Sequence, residues 1–249
     1  MTQAGWLRLF VIVGAIGFIE AACRFGLIPS ITMIPPSRMV IALIDLLSSG
    51  KFTIDITVTL SNVSIAIVLA MVVGVLVGTA LHSVPPLRQI LDPLFATYYA
   101  VPMYAFYPLL IVVLGLGDLP QIAIGFLLAV MAVIINTLNG LDRVPNVLLK
   151  AARVYRLGGL KTALQIRLPH AAPYIFTGFK LAVAYSFIGV IGAEFITSSR
   201  GIGYEISFAY NNFDNPLMYA FILLVLVVVI TVNMSLHTWE KRLLARRGK

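Results

Sequence analysis

Charge is scarce in this chain, and acid is scarcest. Of 249 residues only 11% are charged, with ten acids against eighteen Lys or Arg. A soluble domain carries about a quarter charged residues. With 60% hydrophobic residues, the composition excludes an ordinary soluble enzyme and points to a multi-span membrane protein. The one cysteine, Cys23, excludes an internal disulfide. It follows two alanines, as at a lipoprotein cleavage site, but the charged Glu20 stands where an apolar residue belongs. Residues 9–23 lack a small-residue cleavage pattern and read as a first span rather than a removed signal peptide. His82, His170 and His237 share no metal-ligand spacing with one another or with Cys23. The acids form no evident catalytic pair. Gly158-Gly-Leu-Lys161-Thr162 lacks the glycine before the lysine, and the preceding strand, that a phosphate loop needs. Neither an enzyme constellation, a metal site nor a nucleotide site of its own is therefore expected.

What the chain does have is long apolar runs. They are unbroken over about 20 residues rather than alternating over ten, which favours helices over a barrel. The expected fold is an all-α polytopic membrane protein with six transmembrane helices, at about 6–27, 56–81, 92–116, 121–141, 172–197 and 217–237, in a single domain. Glu20 and Arg24, four apart in the first, can pair. A strap and a short amphipathic helix are expected over 28–56. The second span opens with Thr57, Thr59, Ser61, Asn62 and Ser64, which either line a polar route or pack. Its Gly74-x-x-x-Gly78 permits close helix approach.

The third span, preceded by a loop at 82–91, holds Pro93, Pro102 and Pro108 with Tyr98, Tyr99, Tyr104, Phe106 and Tyr107 among them. Proline frees carbonyls that need partners in lipid, so such a helix is buried or lines a cavity. Tyr99, Pro102, Tyr104 and Tyr107 are thus candidates for the wall of a translocation path, interfacial anchoring and core packing being the alternative. Asn62, Asn136 near the end of the fourth span, and Glu194 in the fifth join that candidate set. Lys180, also inside the fifth span, and Glu194 each lie near one end, which favours structural roles. Residues 198–216 read as a polar loop.

Base clusters on one side. With six spans, that side holds the loop at 82–91, the stretch 145–169 and the tail from Lys241, and collects about thirteen Lys or Arg. The other side holds Arg24, Arg38, Lys51 and Arg200. The bias makes the first side, with both termini, cytoplasmic. The formal charge of +8 is then explained by orientation and anionic membrane lipid rather than by nucleic acid.

The polar island Lys150–Pro169 carries Lys150, Arg153, Arg156, Lys161 and Arg167 and no acid. Pro145 suits the first turn of a helix. Leu148, Ala151 or Ala152, and Tyr155 recur at helical spacing, with Lys150, Arg153 and Arg156 on another face. Gly158-Gly159 breaks this helix, a second short one follows, and Pro169 stops it. Ala151 and Ala152 permit close approach to a partner groove, and the charges suit an acidic partner or anionic headgroups.

This stretch resembles the cytoplasmic coupling loop of bacterial ABC importer permeases, whose motif is Glu-Ala-Ala, three residues, Gly, nine residues, Ile, one residue, Leu-Pro. Ala151, Ala152, Ile166, Leu168 and Pro169 match in spacing, while Lys150 stands at the Glu position and Arg156 at the Gly position, glycine coming later at Gly158. From about residue 34 onward the chain is similar to the nitrate/sulfonate/taurine branch, in Pro35-Pro36-Ser37, Pro108-Leu109-Leu110, Gly115-Leu-Gly117, Pro173-Tyr-Ile-Phe-Thr-Gly178, Gly192-Ala-Glu194 and Gly201-Ile-Gly203-Tyr204. The resemblance implies a multi-pass protein of the bacterial inner membrane, a transmembrane subunit of an ATP-driven importer for a small solute: an anion, a sulfonate or a vitamin-precursor type. It implies a second permease copy as a homodimer, two cytoplasmic ATP-binding subunits that hold ATP and magnesium, and an external substrate-binding protein. Lys150, Ala151, Ala152, Tyr155, Arg156, Gly158, Ile166, Leu168 and Pro169 would make the ATPase-coupling surface. Alternatives are a permease-derived regulator that does not transport, favoured by the altered motif, and a secondary transporter, against which stands the want of an internal repeat.

Overall fold

The computed structural model describes residues 3–247; the last two residues of the basic tail, Gly248 and Lys249, lie outside the described residues. Among the described residues it is all helix and turn, without strand. The α-helices are α1 (Gln3–Arg24), α2 (Pro36–Ser49), α3 (Thr53–Ser83), α4 (Pro85–Thr97), α5 (Tyr107–Leu114), α6 (Asp118–Asp142), α7 (Asn146–Val154), α8 (Gly159–Thr162), α9 (Leu168–Thr197), α10 (Ile202–Asn211) and α11 (Asn215–Arg247). Among the described residues, four runs are long and apolar enough to cross a membrane: α3, α6, the continuous run Gly159–Thr197, and Asn215–Lys241 of α11. The pair α4 and α5 adds a fifth if counted as one broken span, its arms meeting at 88°.

Four expectations are corrected here. The stretch 92–116 is not one kinked helix. Two 3-10 turns, Tyr98–Ala100 and Met103–Phe106, separate α4 from α5, with Pro102 between them. Moreover α4 begins at Pro85, where a loop was expected, because Pro85 and Pro86 occupy a first turn whose N–H groups have no helical partner to lose. Pro169 does not stop a helix. The run from α8 passes through a π turn at Ala163–Arg167 into α9. The wider π ring displaces the carbonyl that a proline ring would otherwise strike. Finally, the polar loop at 198–216 contains α10.

The chain forms two compact units. The first contains the chain up to Val58 and Glu194–Val228. Its core is Leu46, Ile202, Ala220, Phe221 and Leu224, with the Phe52 ring edge-on to Phe221 at 5.1 Å. Glu20 pairs with Arg24 as expected, and it also accepts from the backbone N–H and hydroxyl of Ser37 at 3.0 and 2.7 Å, tying α1 to the start of α2. Helix α10 owes its start to two carboxylates, one from just upstream and one from distant sequence. Glu194, fully buried, accepts the Gly203 N–H at 2.9 Å, and Asp55 accepts the Gly201 N–H at 2.9 Å. Carboxylates at a helix N-terminus satisfy orphan donors and oppose the helix dipole. Gly201 is required: its φ is +105°, and a Cβ there would stand 2.6 Å from the Glu194 carboxyl carbon.

The second unit, Thr59–Ala193 with the chain from Val229, is organised around α6. Helix α3 runs parallel to it in a constant register. Asn62 donates to Gln121 at 3.1 Å. At the same offset Ala66 lies against Gly125, Gly74 against Val133 and Gly78 against Thr137. Both helices therefore offer every fourth residue to one seam, Asn-Ala-Ala-Gly-Gly on α3. A Cβ on Gly74 would lie 2.6 Å from that of Val133, so the two backbones approach to glycine distance. On its other side α6 meets α9 antiparallel. A Cβ on Gly189 would reach within 2.6 Å of the Gly125 Cα, Gly178 lies against Asn136, and Gly140 against Ala171 and Tyr174. Lys180 pairs with Glu240 at 2.7 Å, and Phe176 stacks edge-on against Trp239 at 5.5 Å, fastening α11 to α9.

This packing generates a prediction. Gly125→Val drives methyls into Val190, whose Cγ2 already lies 2.8 Å from the Cβ position, at a cost of about 1–3 kcal/mol. Gly14→Val on α1 meets nothing within 4 Å. The thermal midpoint of the purified protein in detergent should fall for the first and stay for the second; equal midpoints would remove the close seam.

Candidate functional site

The loop between α6 and α9 is hung from both ends. Asp142, the last residue of α6, takes both terminal nitrogens of Arg88 at 2.7 Å, a bidentate pair. His82 Nε2 lies 3.5 Å from the same carboxylate. Arg143 stacks over the Tyr174 ring at 5.1 Å and donates to its hydroxyl at 3.1 Å. Val144 is buried, and Pro145, extended at ψ 132°, is the N-cap of α7 rather than its first residue. At the far end the chain runs without interruption from α8 into α9.

Helix α7 sorts its residues differently from the expected pattern. Ala152 is 3% exposed and turned toward its own chain, so it does not offer its small side chain outward. Val147, Leu148, Val154 and Tyr155 are exposed, and Ala151 with them. These five recur at helical spacing and form an apolar stripe on the outer face, flanked by the exposed Lys150, Arg153 and Arg156.

The end of α7 explains one departure from the family motif. The Leu157 N–H bonds the Ala152 carbonyl at 2.9 Å and the Arg156 N–H bonds the Arg153 carbonyl at 3.0 Å. That is the Schellman arrangement, and it places Arg156 at φ +52°, the left-handed position where glycine is favoured. The required turn is thus at the motif's glycine position and is kept by an arginine. The later glycine, Gly158, is an extended N-cap of α8 with φ −63°. Ile166 sits in the π turn, Leu168 opens α9, and Pro169 is exposed in its first turn.

Most of the path candidates are held in packing or hydrogen-bonded contacts. Tyr107 is 2% exposed and packs with Ile124 and Ala193. Tyr104 donates to the Ile188 carbonyl at 2.5 Å, in space left by Gly192. Asn62 is buried on Gln121, Asn136 bonds the Ala132 carbonyl of its own helix at 2.8 Å, and Glu194 is buried at the start of α10. Tyr99 is half exposed, its ring between those of Tyr98 and Tyr185, and Pro102 is exposed beside it. Sequence reasoning missed the Arg88–Asp142 anchor, whose partners are 54 residues apart, and the carboxylates that start α10. The Arg88–Asp142 pair and the Asp55 contact leave no local pattern.

The family of binding-protein-dependent transport system inner membrane components matches residues 66–248. The nitrate import permease protein NrtB of Leptolyngbya laminosa is 32% identical over 179 residues, covering 72% of this chain and 64% of its own length. The taurine transport system permease protein TauC of Escherichia coli (strain K12) is 25% identical over 222 residues, 87% of this chain and 81% of its own. This chain therefore spans less than two-thirds of that nitrate permease. An inward-facing structure of the MetNI methionine ABC transporter superposes with a TM-score of 0.67 over 77% of this chain and 95% of that one, at 16% identity, a likeness of fold.

A non-glycine residue in the left-handed region costs about 1–2 kcal/mol. Arg156→Gly should therefore tighten the end of α7. Hydrogen exchange at the Leu157 amide is expected to slow by about fivefold or more and to accelerate in Arg156→Val. Exchange unchanged in both would show that this turn carries no strain.

Proposed function

The chain belongs to the binding-protein-dependent transport family of inner membrane components, and on that premise we propose that it is the membrane subunit of an ATP-driven importer whose α7 is the surface pushed by a cytoplasmic ATP-binding subunit. The observation that carries this reading is the apolar stripe Val147, Leu148, Ala151, Val154 and Tyr155, turned outward on a polar loop. An exposed apolar helix face outside the membrane calls for a partner groove. The loop is also mechanically placed for such a role. It links α6 and α9, which meet backbone to backbone at Gly125 and Gly189. Packed helices move as rigid bodies rather than deform, so displacement of α7 transfers to both together.

In this reading α1, 22 residues long, is a first span, and α3, the broken pair α4–α5, α6, the Gly159–Thr197 run and α11 are the other five. The base-rich ends favour a cytoplasmic side for both termini and α7. Two copies of the chain enclose the path, two partner subunits hold ATP and magnesium, and an external binding protein delivers the solute. The nitrate and taurine relatives support a small oxyanion or sulfonate as its class. Lys150 and Arg156 meet extra acid in the partner groove, which accounts for a base at the motif's Glu position.

The test is reconstitution in liposomes with the cognate ATP-binding subunits and binding protein. Ala151→Glu and Val154→Asp alter exposed side chains, so the fold should persist, while binding-protein-stimulated ATP hydrolysis and uptake fall by about tenfold or more. Stimulation at the level of the unaltered protein in both variants would rule out α7 as the coupling surface.

A further inference from the structure

A cleft of about 690 Å³ opens where the C-terminal end of α3 faces the loop. Its walls are apolar, from Leu76, Ala80, Leu149, Leu160 and Ala163. Its polar groups are two guanidinium groups, Arg153 and Arg167, and the hydroxyls of Thr79, Ser83 and Thr162. The Ser83 and Thr162 hydroxyls are turned back to carbonyls of their own chain, at Ala80 and Leu157. Thr79 and Arg167 are not so occupied: the Thr79 Oγ1 and the Arg167 Nε are buried without any hydrogen-bond partner. A buried donor left unmade costs about 1–3 kcal/mol, more when charged, which favours a cleft occupant that accepts hydrogen bonds over a purely apolar one.

Charge narrows the class of ligand. Among the described residues no acid pairs with Arg153 or Arg167. Asp142 is engaged with Arg88. The missing acceptor is therefore an anion from outside the chain, and two guanidinium groups with a hydroxyl suit a phosphate. Position narrows it further. The cleft lies at the end of a membrane-crossing helix, and Leu76, which lines it, is 65% exposed on that helix. A ligand there has an anionic head beside an apolar wall.

We propose that this cleft binds the phosphate headgroup of an anionic phospholipid, held by Arg167 and Thr79 with Arg153 at the rim, its acyl chain lying along α3 at Leu76. The site is separate from the outward stripe of α7 and requires no transport partner. Bound lipid braces α7 and the π turn against α3.

The experiment is native mass spectrometry of the full chain purified from vesicles of phosphatidylglycerol with phosphatidylcholine. Retained phosphatidylglycerol is expected for the unaltered protein, with retention reduced about tenfold or more in Arg167→Gln and severalfold in Thr79→Val, a near-isosteric change that keeps the fold. Lys51→Gln, which removes one charge on an exposed residue of the other unit, should leave retention unchanged. Equal loss in Lys51→Gln and Arg167→Gln would reduce the effect to net charge and overturn the site. So would equal retention of phosphatidylcholine. Displacement of the lipid by millimolar inorganic phosphate, with the same dependence on Arg167, would overturn the lipid assignment in favour of a free anion.

Discussion

The close approach of α3, α6 and α9 is the constraint on which the second unit depends. Between lipid-exposed helices there is no hydrophobic gain from contact, since acyl chains are as apolar as leucine; association rests on dispersion and therefore on distance. Helix α6 meets both neighbours at glycine distance, through Gly74 and Gly78 on one side and Gly189, Gly178 and its own Gly125 and Gly140 on the other. Everything attached to α6 inherits this rigidity. The loop carrying α7 leaves from its end, and Tyr107 of α5 packs against its Ile124.

Five of the ten acids fasten one element to another or start a helix. Glu20 joins α1 to α2, Asp55 and Glu194 start α10, Asp142 anchors the loop, and Glu240 fastens α11. Each sits where a helix terminus or a base needs an opposite charge. The consequence is that Lys150, Arg153, Arg156, Lys161 and Arg167 have no acidic partner within the described chain. The island's charge is left for what lies outside the chain.

The loop also shows how a motif can depart in residue type and hold in geometry. Arg156 takes the left-handed turn that its glycine position calls for, because two backbone bonds close the end of α7 around it. The later Gly158-Gly159 draws the eye in the sequence but adopts conformations any residue can. Proline misleads in a related way. Pro85 and Pro86 begin a helix and Pro169 is carried inside one, whereas Pro102 lies between two 3-10 turns; only the neighbouring hydrogen bonds decide which outcome a proline has.

By itself the sequence determined that the chain is helical, crosses a membrane several times and bears a basic loop with an amphipathic helix. These are local properties, written in runs of apolar residues, their period and the clustering of charge. It also marked the Gly74 and Gly78 stripe. Tertiary structure alone decided which helix that stripe meets, that α4 and α5 break at 88°, that residues 202–211 form a helix, and that Ala152 faces inward while Ala151 faces out. The physical reason is the same in each case. A partner supplied from far along the chain, such as the Val133 side chain for Gly74 or the Asp55 carboxylate for the Gly201 N–H at the start of α10, completes a contact or a hydrogen bond that no local pattern encodes.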